Sequence, residues 1–223
     1  FSKRNFYNIF YQLLSLMYFL TLFIRALGTT KSGSGAVFDY LIGRGDIRDP
    51  LKGQEYHLPQ MPYGLMTLEA ISDKAYDPAT TEYALTQFKS IAFKLINYWG
   101  TASNDKSLNN KLPFYKQEIE KFINEISVAD FPMRLLWRDE LMQTTFERLL
   151  RKIKNRLGLK EKISKTRLIV SKTDLIVAAQ KMHDRMFMPN AGGRPILLDQ
   201  CGSGWNPIES TKYFSNCKVV LIT

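Results

Sequence analysis

His57 and His183 are the only imidazoles in this chain of 223 residues, and Cys201 and Cys217 are its only thiols. Neutral imidazole is a strong ligand for first-row metals, and a lone carboxylate cannot hold a redox-active ion in a defined geometry. A thiol nucleophile with a histidine base would pair Cys201 with His183, but no third group at a recognisable spacing orients them. The cysteines lack paired zinc spacing, and neither a Gly-x-Gly-x-x-Gly fingerprint nor a Walker motif occurs. The expectation is therefore a protein that is not an enzyme, with no cofactor, no metal and no small-molecule substrate.

The strongest chemical signal is charge. The chain carries a formal +10 at pH 7, which attracts polyanions such as RNA, anionic lipid or acidic protein faces. Much of that charge falls between Arg148 and Arg167, where Arg148, Arg151, Lys152, Lys154, Arg156, Lys160, Lys162, Lys165 and Arg167 face Glu161 alone. Arg148, Arg151 and Lys152 share one helical face, and Leu149, Leu150 and Ile153 are expected to turn inward. Such a stripe suits docking on a polyanion or an acidic partner, weakening as salt rises. With few aromatics interleaved, stacking on single-stranded bases is disfavoured.

The elements that must position these groups begin with an apolar run. Ile9 to Ile24 is uncharged, and apolar character extends from Phe6 to Leu27. That length predicts a membrane-spanning helix over residues 1–27, since about 20 residues cross a bilayer core. Its anchor would be Ile9, Phe10, Leu13, Leu14, Leu16, Phe19, Leu20, Phe23 and Ile24, with Lys3, Arg4 and Arg25 at its ends. Phe1 in place of methionine suits a processed chain, a cleaved targeting peptide being one explanation. Residues 28–55, rich in Gly, Ser, Asp and Pro, read as a linker.

Beyond the linker, helical periodicity covers Thr80 to Trp99, Lys116 to Ile126 and Pro132 to Leu157, the last with Pro132 in a first-turn position. The β-branched runs Arg167 to Val170 and Leu175 to Ala179 predict a hairpin turning at Ser171 to Asp174, and Ile196 to Leu198 a third strand. Too few cysteines are present for a disulfide framework, which fits a reducing compartment and leaves pairing of Cys201 with Cys217 open.

Leu58-Pro59, Pro62-Tyr63, Leu68-Glu69 and Ile71-Ser72 form the most distinctive segment. Phe88 to Trp99 and the Pro195-Ile196-Leu197-Leu198-Asp199 run follow it in order. Together these resemble the iron/manganese superoxide dismutases. The resemblance implies an α+β fold, helical over 56–166 and α/β with a small antiparallel sheet over 167–223. It also implies a degenerate site, with Leu95 and Ser203 where ligand histidines would stand and Asp199 the vestigial ligand. The implied role is a non-catalytic accessory subunit of a respiratory-chain complex in the mitochondrial inner membrane, its domain on the matrix side. Its partners would be other subunits and anionic lipid. The alternative is a mitochondrial ribosomal small-subunit protein bound to ribosomal RNA.

Overall fold

A computed structural model of the protein describes residues 22–28, 34–53, 56–72, 78–98, 108–132, 145–157, 165–198 and 208–222. Its organising element is strand β1, Phe23–Gly28. Two further strands, β4 (Ile196–Leu198) and β5 (Cys217–Ile222), flank β1 in a three-stranded sheet of order β4-β1-β5. Both pairings are parallel: Phe23 registers with Ile196 on one side and with Cys217 on the other, and Gly28 with Ile222. The antiparallel sheet expected from the sequence is thus corrected to a parallel one, and its middle strand comes from the apolar run.

That run is also where the spanning helix is overturned. Phe23 and Ile24, two of the expected anchor residues, are paired in β1, and Phe23 is fully buried. Arg25, read as an interfacial charge, is likewise fully buried in the sheet. No helix among the described residues is long and apolar enough to cross a membrane. The anchor residues Ile9, Phe10, Leu13, Leu14, Leu16, Phe19 and Leu20 lie outside the described residues. The physical reason is placement: a strand with both faces covered reads as a continuous apolar stretch, just as a lipid-facing helix does.

Both faces of this sheet are covered. Ile24 and Leu197 point to one side, where they pack with Phe38, Leu41 and Ile42 of α1 (Ser34–Gly43), together with Ile47. Phe23, Ile196 and Leu198 belong to the main core on the other side. There α7 (Lys172–Ala191) lays Phe187 edge-on against Phe23, with ring centroids 5.8 Å apart. Behind α7 lies a layer built from α2 (Leu65–Ser72), α3 (Pro78–Tyr98), the short α4 (Leu108–Lys111) and α5 (Tyr115–Glu125). Helix α5 presents Tyr115, Ile119, Phe122 and Ile123 inward at helical spacing.

The hairpin expected over 167–179 is corrected. Only its first arm is a strand, β3 (Lys165–Ile169), and it pairs antiparallel with β2 (Ser127–Pro132) in a separate two-stranded ribbon. Leu175 to Ala179 belongs to α7 instead. Ser171 caps that helix by accepting from the Asp174 amide at 3.3 Å, and Gly192, at φ 56°, closes it in the left-handed region that glycine adopts freely. Pro132 ends β2 rather than opening a helix, and among the described residues of that region the helix is α6 (Thr145–Arg156).

Candidate functional site

Strand β1 ends at Gly28 and α1 begins at Ser34, with residues 29–33 between them outside the described residues. In parallel α/β sheets ligands bind outside the carboxyl ends of the strands. The connecting sequence is Gly28-Thr-Thr-Lys31-Ser-Gly33-Ser34-Gly35. Its glycine spacing is that of a phosphate-cradling Gly-x-x-x-x-Gly loop, with the lysine inside the loop at position 31 instead of directly after the second glycine. The first-turn amides of a helix have no intrahelical acceptor and sit at the positive end of its dipole, so α1 offers donors to an anion. Gly35, in that first turn, has no atom of the described residues beyond its own helix within 4 Å of where a Cβ would stand. Packing does not demand a glycine there, and its lack of a side chain leaves the first turn open to close approach.

A second polar constellation lies beneath the sheet and is buried. Arg25 donates to Ser210 Oγ and, at 3.5 Å, to Gln60 Oε1, with its guanidinium 5.9 Å from the Phe214 ring centroid. Glu69 on α2 accepts from Tyr213 Oη and lies 2.8 Å from Lys212 Nζ and 2.9 Å from Lys172 Nζ. Burial alone would raise the Glu69 pKa, but the hydrogen bonds from Lys212, Tyr213 and Lys172 outweigh it and hold the carboxylate below its usual range. On α7, His183 Nδ1 lies 2.8 Å from the Tyr213 carbonyl, and the ring stacks on Phe214 at 4.4 Å. Full burial lowers its pKa to about 4, so at neutral pH the ring is uncharged and Nδ1 donates. His183 Nε2 has no hydrogen-bond partner among the described residues. Its neighbour Asp184 accepts from Ser215 Oγ at 2.7 Å, and burial pushes it up to about 6. This network ties β1, α2, α7 and the 3-10 turn Glu209–Tyr213 together; its chemistry is that of a core cross-link.

A polar pocket of about 340 Å³ opens elsewhere, lined by Arg48, Asp49, Lys52, Asn110, Lys111 and Asn190 among others. Asp49 accepts from the Leu51 and Gly53 amides, so its oxygens serve the loop. Lys111 Nζ donates to the Leu51 carbonyl at 2.5 Å.

The basic segment is a third locality. Arg148, Lys152, Lys154 and Arg156 are exposed on α6, and Arg151 lies in the same helix; Leu149, Leu150 and Ile153, expected to turn inward, are exposed as well. Lys160 and Lys162 fall outside the described residues, as do Asp199 and Ser203. Leu95 is partly buried on α3 against the main core, a packing position. No group of His, Cys, Asp or Glu among the described residues is arranged to hold a metal ion. Cys217 is half-buried at the start of β5, and Cys201 lies outside the described residues.

Sequence reasoning missed the β1–α1 turn for two reasons. The Walker pattern requires its lysine directly after the second glycine, whereas Lys31 precedes Gly33, and β1 lies within the apolar run. The signal was the spacing of Gly28 and Gly33 immediately after a short β-competent run. Comparison of the chain with protein-family models, with curated proteins and with solved structures finds no match in any of the three.

Proposed function

We propose that the chain binds a phosphate-bearing ligand of the nucleotide class on the β1–α1 turn. The observation that carries this reading is the parallel middle strand β1 delivering a Gly-x-x-x-x-Gly-Ser sequence to the start of α1. The first-turn amides of α1 are oriented donors of the kind a phosphate needs, and the sequence joining β1 to α1 carries a lysine, Lys31. The basic character of the whole chain favours anionic ligands generally. This departs from the expectation of no small-molecule substrate, which rested on the absence of catalytic groups and of the Gly-x-Gly-x-x-Gly and Walker motifs.

Calorimetric titration with ADP, ATP and adenosine 3′,5′-bisphosphate tests it, since the three differ in where their phosphates sit. At least one should bind, and Lys31→Ala should weaken that binding at least about ten-fold, the range expected for loss of one charge-assisted contact. If none binds, or if the Lys31→Ala variant binds equally well, the reading fails.

A second reading, a non-catalytic accessory subunit docked at the mitochondrial inner membrane on a respiratory-chain complex, is favoured by α6. That helix exposes apolar and basic side chains together. Mild detergent extraction should then co-purify respiratory subunits; ribosomal proteins and RNA in their place would move the assignment to the mitochondrial ribosome.

A further inference from the structure

Helix α6 is the one described helix whose large apolar side chains face solvent along its whole length. Phe146, Leu149, Leu150, Ile153 and Leu157 are between 39% and 68% exposed. At about 100° per residue they fall within an arc of roughly 100°, a single continuous stripe. The exposed cations frame it. Lys154 borders the stripe on one side, and Arg156, then Lys152 and Arg148, follow on the other. Soluble domains bury such stripes in a core, and exposed contiguous apolar patches mark interaction sites.

We propose that α6 lies flat on an anionic lipid bilayer. Four features select this occupant. The stripe is straight and spans the full helix of 12 residues, about 18 Å, which matches a planar surface. Its apolar residues are the bulky Phe, Leu and Ile that enter the boundary between headgroups and acyl chains. The bordering Lys and Arg have stems long enough to lie along the apolar boundary while their charges reach headgroup phosphates. The formal +10 of the whole chain adds longer-range attraction to a negative lipid surface. The inference rests on the docking role given to α6 in the second reading above and is independent of the β1–α1 turn.

Sedimentation of the full chain with liposomes tests it. Wild-type protein should pellet with vesicles containing on the order of 30 mol% phosphatidylserine and remain in solution with pure phosphatidylcholine, because the cations need a negative surface. Raising salt to about 0.5 M should release much of the bound protein. The Leu149→Ser, Ile153→Ser double variant should lose at least about ten-fold in partition while keeping the wild-type thermal midpoint, since both side chains are exposed. Changing Arg148, Lys152, Lys154 and Arg156 together to Gln should abolish the preference for anionic over neutral vesicles. Failure of the wild type to pellet with anionic vesicles overturns the proposal. So does equal pelleting of the double serine variant, which would reduce the effect to adsorption of a basic chain. Capture of respiratory or ribosomal proteins without vesicle binding would leave α6 a protein-docking face and overturn the lipid assignment, without touching nucleotide binding.

Discussion

Adjacent residues on α7 carry opposite pH dependences. His183 is neutral in the fold, its pKa lowered to about 4, while an unfolded histidine titrates near 6.5. Between those values the unfolded chain binds more protons, so the His183 contribution favours folding fully above about 6.5 and is lost as pH falls toward 4. Asp184, raised to about 6, runs the other way: the native state holds the extra proton from about 4 to 6, and stability falls as pH rises through that window. The two slopes largely offset one another in the wild type. Asp184→Asn keeps a side-chain acceptor for Ser215 and removes one of them. The variant should be more stable than wild type at pH 7, by up to about 3 kcal/mol for a shift of roughly two units. Its urea midpoint should also rise steeply between pH 4 and 6.5, where the wild-type midpoint stays nearly flat. A parallel pair of curves would show that Asp184 is not desolvated. Tyr115 offers a simpler case, since its hydroxyl is buried with no hydrogen-bond partner among the described residues. Tyr115→Phe should therefore raise stability by about 1 kcal/mol, the cost of an unsatisfied buried hydroxyl, read as a higher urea midpoint at unchanged slope.

At the scale of elements, legibility followed the strength of the local signal. Helix α3 was expected over Thr80 to Trp99 and spans Pro78–Tyr98; α5 was expected over Lys116 to Ile126 and spans Tyr115–Glu125. In both, apolar residues recur at 3.6-residue spacing. Helix α7 was misread because Leu175-Ile176-Val177 looks like a strand, although Ser171-x-x-Asp174 is a helix-start signal and that geometry is what forms. Burial on several sides of α7 outweighs the β-preference of those residues. The Leu58 to Gly64 turn shows a demand that composition alone does not reveal. A Cβ on Gly64 would press on the carbonyls of Leu58 and Met61, and the turn bonds into the start of α2 through Leu65 N to Leu58 O at 3.3 Å and Met66 N to Pro59 O at 3.0 Å. Gly64→Ala should cost about 1–3 kcal/mol, the usual penalty of forcing an extra carbon into a packed site, and lower the thermal midpoint. Retention of wild-type stability would mean that the turn opens without disturbing α2.

For the whole molecule, the decisive question is what the N-terminal apolar run contributes. A spanning anchor is dispensable to the domain it tethers, so removing residues 1–27 would leave a folded, soluble remainder. The parallel sheet requires the opposite. Strand β1 lies between β4 and β5, which have no pairing with each other, so its loss separates them and strands the backbone groups of both. Phe23 also leaves the aromatic cluster with Phe187 and Phe214, and Arg25 leaves Ser210 and Gln60. Each loss alone falls in the range of about 3–5 kcal/mol for a buried aromatic or a broken buried polar pair, and together they rival the ~5–15 kcal/mol that holds a typical domain. A chain starting at Gly28 should therefore lack a cooperative urea transition and be cleaved rapidly by trypsin, whereas one starting at Leu22 should keep both the transition and its protease resistance. If the two truncations prove equally stable, β1 is not the keystone of the sheet, and the strand–turn–helix that carries the proposed phosphate site loses its foundation with it.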